Sequence, residues 1–188
     1  MTFQDLLRSA TLAALLAAPL AAQDLKAIGV QVRMGIPVDS VAEATGRKTA
    51  PGASVHLEFD VEDGYRFRMG GGGDRWGYGP WDGRPGVKGQ VSAVHFEVEG
   101  LKFLRPDTEE HRLGPYVMFG VRAILWTVQT SSPFEDLRTS RRTTHLGASF
   151  GMGYRVRPWL DVELKGWYGH ADPEFKGGSY ALGTTFRF

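Results

Sequence analysis

The sequence predicts an all-β protein: an eight-stranded antiparallel up-and-down transmembrane β-barrel, preceded by a cleavable signal peptide. Three observations lead to this fold class. The chain ends on an alternating segment, Tyr180–Phe188, whose last residue is aromatic. Seven further segments alternate apolar and polar side chains with a period of two, the spacing at which strand residues share a face. An apolar run also lies close to the N-terminus.

Residues 1–22 have the pattern of a secretory signal peptide. Arg8 and the N-terminal amine precede an apolar run from Leu12 to Ala22. This run is too short to cross a bilayer as a helix, which needs about 20 residues. We therefore predict a signal peptide over residues 1–22 and one β-barrel domain over residues 23–188; an uncleaved membrane anchor is the alternative.

Composition narrows the class of protein. The chain has 188 residues, a formal net charge of +1 and no cysteine. This charge gives no reason to expect a nucleic-acid partner, and the fold must be stable without disulfides. After residue 22 no apolar run approaches the length of a membrane-spanning helix. A transmembrane barrel remains compatible, because only alternate strand residues must face lipid.

The first four strands each separate an apolar from a polar face. They are predicted over residues 26–36, 52–62 and 65–70 and from about residue 88 onward. In the second, Val55 and Leu57 alternate with His56 and Glu58. The alternation of the fourth slips at Gly100, which predicts a bulge or a strand end there.

The last four strands continue the pattern, and an even strand count places both termini on one side of a barrel. They are predicted over residues 115–128, 143–156, 160–169 and 180–188. In the eighth strand, Tyr180, Phe186 and Phe188 share the apolar face. An aromatic residue at the end of such a face suits a membrane interface better than water.

Two tight hairpins predict the register. Around the turn between the second and third strands, Asp60 falls opposite Arg66. Around the turn between the sixth and seventh, Arg155 falls opposite Asp161. Opposite charges thus meet on one face and apolar groups on the other, which a wrong register would rarely produce twice.

The other connections are longer and predict four external loops, at residues 37–51, 71–87, 129–142 and 170–177. A run from Gly70 to Gly73 enters the second of them. We expect a mobile loop there, whose aromatic residues Trp76, Tyr78 and Trp81 dip into the membrane interface or meet a partner. A phosphate-binding loop is disfavoured because no Lys-Ser/Thr pair follows the glycines.

The polar faces carry six carboxylates and seven cations, and six of these cations are arginines, which suit planar pairing in confined networks. We predict that they fill the lumen as an ion network made of Arg33, Glu58, Asp60, Arg66, Arg68, Glu97, Glu99, Arg122, Arg155, Asp161, Glu163, Lys165 and Arg187. An eight-stranded barrel is just wide enough for such side chains, which disfavours a wide pore. The alternative is a soluble, lipocalin-like barrel with its apolar face inward.

With these features the chain resembles the OmpA/OmpX-type small outer-membrane barrels. The resemblance implies a bacterial outer-membrane location and recognition of the last strand by the barrel-assembly machinery, here through Tyr180, Phe186 and Phe188. Because the chain ends at Phe188, no cell-wall-binding domain is expected. The architecture hosts structural proteins, adhesins and lipid-modifying enzymes, so the resemblance specifies fold more than activity.

The function we expect is that of a monomeric, non-catalytic scaffold without a cofactor, in contact with outer-membrane lipids and lipopolysaccharide and displaying its external loops. Arg138, Arg141 and Arg142 are candidates for contacts with lipopolysaccharide phosphates, or form a solvated basic loop. His56, His95 and His145 share the lumen parity, and we favour hydrogen bonding over metal ligation for them.

Two other functions remain open. A lipid A deacylase needs a serine, a histidine and an acid together, and the pattern places the serine two residues after the histidine. Here Asp172 stands two residues after His170, and Ser179 is the nearest serine that follows. The other alternative is a narrow solute channel.

Overall fold

The computed structural model describes residues 25–61, 65–81, 85–104, 113–132, 139–170 and 175–188. Eight antiparallel strands join in sequence order into a closed barrel, which confirms the predicted fold class. The strands are β1 Leu25–Val38, β2 Ala50–Asp60, β3 Tyr65–Pro80, β4 Lys88–Phe103, β5 Gly114–Ser131, β6 Thr139–Arg157, β7 Leu160–His170 and β8 Lys176–Arg187. The predicted signal peptide lies outside the described residues.

The predicted register is confirmed at both tight hairpins. Asp60 pairs with Arg66 across β2 and β3, and Arg155 pairs with Asp161 across β6 and β7. We call the end of the barrel with these hairpins the lower end and the end with the longer connections the upper end. The C-terminal strand starts at the upper end and closes the barrel by pairing with β1.

The glycine run is part of a strand, so its prediction as a mobile loop was wrong. β3 continues to Pro80, and the run pairs with β2 on one side and β4 on the other. The lumen-facing glycines allow β2 and β3 to approach closely, since a Cβ at Gly70 would lie 2.2 Å from the Val55 carbonyl oxygen and one at Gly72 2.3 Å from that of Ala53. Sequence patterns alone do not separate this use of glycine from turn formation.

The predicted irregularity at Gly100 was also wrong. β4 stays in register with β5, with Gly100 opposite Phe119 and Phe103 opposite Tyr116. Leu101 therefore keeps the lumen parity, as does Phe103. Both residues still point into the lumen. They show that this part of the lumen is filled by apolar side chains, and not that the strand is irregular.

The first external connection contains a short helix, α1 Asp39–Thr45, which the sequence did not predict. It ends at Gly46, whose φ of 61° places it in the left-handed region that glycine tolerates. Val41 and Ala44 of this helix are fully buried. The helix thus packs into the upper mouth of the barrel.

The apolar faces of the strands point outward. The exposed fraction is 66% for Leu146 and 62% for both Phe119 and Leu182. Most of the charged residues at the alternate, inward-facing positions of the strands are buried. This arrangement contradicts the soluble alternative with an apolar interior. Of the helical segments that the structure describes, none has both the length and the apolar character to span a membrane.

Candidate functional site: the lumen and its cap

The lower part of the lumen is organised around Glu58, which is fully buried. Its carboxylate accepts hydrogen bonds from Arg66 at 2.6 Å, from Arg187 at 3.0 Å and from Arg155 at 3.1 Å. Arg155 also donates to Asp161 at 2.8 Å. Three guanidinium groups therefore depend on one carboxylate, and this offsets the desolvation of each charge.

Asp60 lies at the edge of this cluster. It accepts a hydrogen bond from Arg66 at 2.7 Å, but 28% of its side chain remains exposed. Lys26, which is outside the predicted network, approaches it at 3.8 Å. This ion pair is therefore partly solvated, unlike the pairs around Glu58.

Arg68 joins the two sides of the barrel at mid-height. It donates to Glu99 at 2.8 Å and to Glu163 at 2.7 Å. Glu163 also accepts hydrogen bonds from the Tyr116 hydroxyl at 2.7 Å and from the Gln31 amide at 2.6 Å. Neutral side chains thus complete the hydrogen bonding of the buried carboxylate.

Lys165 and Arg122 bind the carboxylates above this level. The ammonium of Lys165 lies 2.5 Å from Glu99 and 2.8 Å from Glu97. Arg122 donates to Glu97 and stacks over the Trp167 ring, 4.9 Å from its centroid. Arg122 therefore joins the ion network to the aromatic layer above it.

The uppermost ion pair contains Asp74, which sequence analysis missed because it fell inside the predicted loop 71–87. Arg33 holds it with two parallel hydrogen bonds, 2.8 Å from Nε to Oδ1 and 3.0 Å from Nη2 to Oδ2. Asp74 is 4% exposed. Continuing the lumen parity of Arg66 and Arg68 through the glycines would have revealed it.

With Asp74 the charges of the described network balance at seven carboxylates and seven cations. The carboxylates are Glu58, Asp60, Asp74, Glu97, Glu99, Asp161 and Glu163. The cations are Arg33, Arg66, Arg68, Arg122, Arg155, Lys165 and Arg187. The structure thus places every residue of the predicted network in at least one ion pair.

The ion pairs run mostly between residues that are not directly opposite. Glu58 faces Arg68 in the register of β2 and β3, yet it binds Arg66 and two arginines from other strands. Strands in a small barrel tilt strongly, so side chains two positions apart on neighbouring strands reach the same height. Register therefore predicts membership of the network and some partners, such as Arg66 for Asp60 and Asp161 for Arg155, but not the contacts that cross the lumen.

A small apolar cluster sits among the lower charges. Leu101, Phe103, Tyr116 and Met118 are all buried there. The rings of Phe103 and Tyr116 are 5.0 Å apart, and the Arg155 guanidinium lies 4.8 Å from the Phe103 centroid. These rings cover the guanidinium groups of Arg155 and Arg66.

The upper lumen is filled by a tryptophan cap, which we define as Trp76, Trp126, Trp167 and Phe175 with the buried residues of α1. The Trp167 ring centroid lies 5.4 Å from that of Trp126 and 6.0 Å from that of Trp76. Trp76 is fully buried, so its predicted role at the membrane interface was wrong. Trp81 packs partly against the cap.

The three histidines do not form one site. His56 and His95 are buried in the lumen at 4% exposure each. His145 keeps the predicted lumen parity, opposite Ile124, but its side chain is exposed. Among the described residues, no group of three or more potential metal ligands comes together.

The residues of the deacylase alternative do not converge where they are described. Ser179 is buried on the lumen face opposite Trp167, at 2% exposure. His170 is exposed and pairs with Lys176, on the other face of the same strands. Asp172 lies outside the described residues.

The basic loop is described only in part. Arg142 is exposed, which leaves it accessible to an anionic group. Arg138 and the Arg141 side chain lie outside the described structure, and so does the side chain of Tyr78. The connection between β4 and β5 is likewise described only at its ends, because residues 105–112 lie outside the described structure.

No family model and no curated protein matches the chain. Solved structures do match. Ail, the attachment invasion locus protein of Yersinia pestis, has 14% identity and a TM-score of 0.60, covering 86% of this chain and 97% of its own. The fold is that of a small outer-membrane β-barrel.

Two further outer-membrane barrels agree with this assignment. Neisserial surface protein A has 12% identity and a TM-score of 0.53, over 86% of this chain and 96% of its own. A major outer membrane protein of Thermus thermophilus has 15% identity and a TM-score of 0.54, over 86% and 98%. At these identities the likeness concerns the fold.

In this outer-membrane fold the last strand also closes the barrel. The backbone N–H of Phe188 donates to the Ile28 carbonyl at 2.9 Å, and the N–H of Ile28 donates back at 3.0 Å. The rings of Tyr180, Phe186 and Phe188 are exposed by 51%, 39% and 81%. All three predicted assembly residues therefore lie on the outer surface.

Proposed function

We propose that this protein is an integral, monomeric outer-membrane β-barrel without catalytic activity, which presents its upper end to the outside as an interaction surface. The observation that carries the proposal is the pairing of an apolar exterior with an ionic interior. Outward apolar residues such as Phe119 and Leu182 are stable in contact with hydrocarbon, and buried charges are stable only where they are paired.

The filling of the lumen argues against a solute channel. The ion network occupies the lower and middle lumen together with the apolar cluster around Phe103, and the tryptophan cap fills the upper lumen. An eight-stranded barrel leaves little interior beyond the volume of its side chains. Steady single-channel conductance of the purified protein in planar bilayers would contradict the proposal.

A role at the cell surface is supported by the rigidity of the upper end. The tryptophan cap and α1 brace the ends of the strands from inside, so the loops extend from a fixed platform. Ail, whose structure is similar, is described as an attachment invasion locus protein. The partners we propose are lipopolysaccharide around the barrel and the barrel-assembly machinery, through Tyr180, Phe186 and Phe188.

The experiment compares cells that produce this protein with cells that produce a variant in which residues 133–138 are replaced by a Gly-Ser segment of equal length. Both proteins should fractionate with the outer membrane and show heat-dependent migration on gels. We expect the variant to lose attachment to host-cell or matrix surfaces. Equal attachment by both strains and by cells without the protein would contradict a role in surface interaction.

The competing hypothesis is a lipid A deacylase. The opposite faces of His170 and Ser179 argue against it, because an activated hydroxyl must lie within hydrogen-bond distance of its base. Incubation of the protein with lipopolysaccharide, followed by mass spectrometry of lipid A, tests the hypothesis. Acyl release that disappears in a His170→Ala variant would refute the non-catalytic proposal.

A further inference from the structure

The glycine run contains two glycines that packing requires and two that it does not. Gly70 and Gly72 face the lumen, where a Cβ would collide with the β2 backbone. Gly71 and Gly73 face outward, and the nearest atom to a Cβ at either position is a β4 carbonyl oxygen at 3.2 Å. A Cβ at either position would need that carbonyl to move by a few tenths of an ångström. Packing therefore restricts the outward pair less than the inward pair.

The missing side chain of Gly73 contributes to a groove on the outside of the barrel. It has a volume of about 610 Å³, and its outward-facing lining includes Val32 of β1, Pro51 and Ala53 of β2, Gly73 of β3 and Val94 of β4. The groove is an open depression of the surface and not an enclosed cavity. An extended hydrocarbon chain can lie along such a depression with one side facing the surrounding lipid.

The groove is continuous with the lipid-facing surface. Val32 and Val94, which border it, are 50% and 59% exposed and belong to the same outward apolar band as Met34 and Phe96. Its residue Gly73 lies near the middle of β3, whose lower end is Tyr65, and Pro51 and Ala53 lie near the upper end of β2. In the proposed membrane orientation this position corresponds to the outer leaflet.

A cation stands at the upper rim of the groove. Arg75 lies two residues beyond Gly73 on the same outward face, and it is exposed. With the amide of Gln90 oriented to accept, Arg75 donates to it from Nε at 2.6 Å and from Nη2 at 2.9 Å. The guanidinium is thereby held at the height where lipid headgroups begin, and it complements a phosphate.

We propose that this groove binds one acyl chain of an anionic outer-leaflet lipid, with the lipid phosphate on Arg75. The inference rests on the proposed outer-membrane location and adds a defined lipid site to it. The chain would fill the space above Gly73, and the charged rim would select anionic over zwitterionic headgroups.

The test uses the full mature barrel, reconstituted in vesicles of phosphatidylcholine with about 20% phosphatidylglycerol, whose anionic headgroups attract Lys and Arg side chains near the surface. The protein is then released into detergent for native mass spectrometry. The groove variant is Ala53→Leu, and the matched control is Ala148→Leu. Both replace an exposed outward alanine of a strand, but only Ala53 lines the groove. An Arg75→Gln variant tests the headgroup contact.

We expect the wild type and Ala148→Leu to retain one phosphatidylglycerol. In Ala53→Leu the fraction of protein that retains this lipid should be at least about fivefold lower. Arg75→Gln should retain both lipids equally. Equal retention by Ala53→Leu and Ala148→Leu, or no retained lipid in the wild type, would overturn the site. A dimer that only Ala53→Leu abolishes would mean that a second copy fills the groove, and would also overturn it.

Heat-dependent migration on gels shows whether each variant has folded as a barrel. It therefore distinguishes a failure of the groove proposal from a failure of the outer-membrane proposal. If all variants fold as detergent-dependent barrels and none differs in lipid retention, the groove proposal fails while the membrane proposal stands. If the wild type folds without detergent, the membrane proposal fails first.

Discussion

The middle of the barrel and its upper part both alternate inward and outward side chains, but the apolar face is the outward one in the middle and the inward one in the upper part. In the membrane part of β5, Phe119 points outward and Arg122 inward. Farther up the same strand Thr127 points outward, and Trp126 is buried in the cap. The polarity of the two faces inverts along one uninterrupted strand.

The comparison shows that the surrounding solvent decides which face of a strand is apolar. In lipid, apolar groups gain nothing from facing inward, so the lumen can hold charges if they are paired. Above the lipid, water surrounds the barrel and the hydrophobic effect drives tryptophans inward. The cap is therefore built like the core of a soluble protein, on top of a membrane barrel.

The largest effect is expected from Glu58→Gln in the ion network. It removes the carboxylate that accepts hydrogen bonds from Arg66, Arg155 and Arg187. Breaking a buried ion pair from one side lowers the free energy of unfolding by about 3–5 kcal/mol. Urea unfolding in phospholipid vesicles measures this.

The control is Asp60→Asn in the same strand, whose partly exposed ion pair should contribute less than about 1 kcal/mol. If both variants lower the free energy of unfolding equally, burial does not determine how much each ion pair contributes. The distinction between the buried pairs of Glu58 and the partly solvated pair of Asp60 would then be wrong.

In the cap, Trp126→Ala should lower the free energy of unfolding by about 3 kcal/mol, because it leaves a cavity among Trp167 and Phe175. The loss should be local, so limited proteolysis from outside should cut the extracellular end faster. Trp159→Ala removes a ring that is 53% exposed at the lower rim, and proteolysis of the extracellular end should not change.

The inversion itself is tested by placing one charge at two heights on β5. Phe119→Arg puts an arginine on the lipid face and should reduce stability by about 2–4 kcal/mol, whereas Thr127→Arg, on the same face above the lipid, should change it by less than about 1 kcal/mol. Folding yield in vesicles and urea unfolding provide the measurement. Equal losses would mean that Thr127 also lies in hydrocarbon.

The smallest effect is expected at the lower rim. Lys102 lies 3.8 Å from the centroid of the Tyr65 ring. Lys102→Gln removes this cation–π contact and should lower the free energy of unfolding by about 0.5–1 kcal/mol. Lys102→Arg keeps the cation and should retain most of the wild-type stability. If it is as unstable as Lys102→Gln, the loss comes from the packing of the lysine alkyl chain and not from the cation–π contact.

Much of the fold could be predicted because strand alternation and hairpin charge pairing are local. The match of Asp60 with Arg66 and of Arg155 with Asp161 depends only on turn length and parity. The same locality explains the errors. The glycines from Gly70 to Gly73 carry two signals, turn formation and close packing, and only their neighbours on β2 separate these.

Asp74 and Trp76 were misplaced for the same reason, since a strand taken to end at Gly70 cannot send later residues into the lumen. Outside the two tight hairpins, the partners within the ion network were also beyond prediction. The tilt of the closed barrel brings Arg187 of β8 to Glu58 of β2, although 129 positions separate them in sequence.

By itself, the sequence determined the number of strands, their faces and the identity of most lumen charges, because a period of two is a property of each strand alone. Only the tertiary structure decided which charges pair across the lumen, and that tryptophans rather than charges close the upper end. These depend on barrel closure and strand tilt, which bring distant strands to the same height.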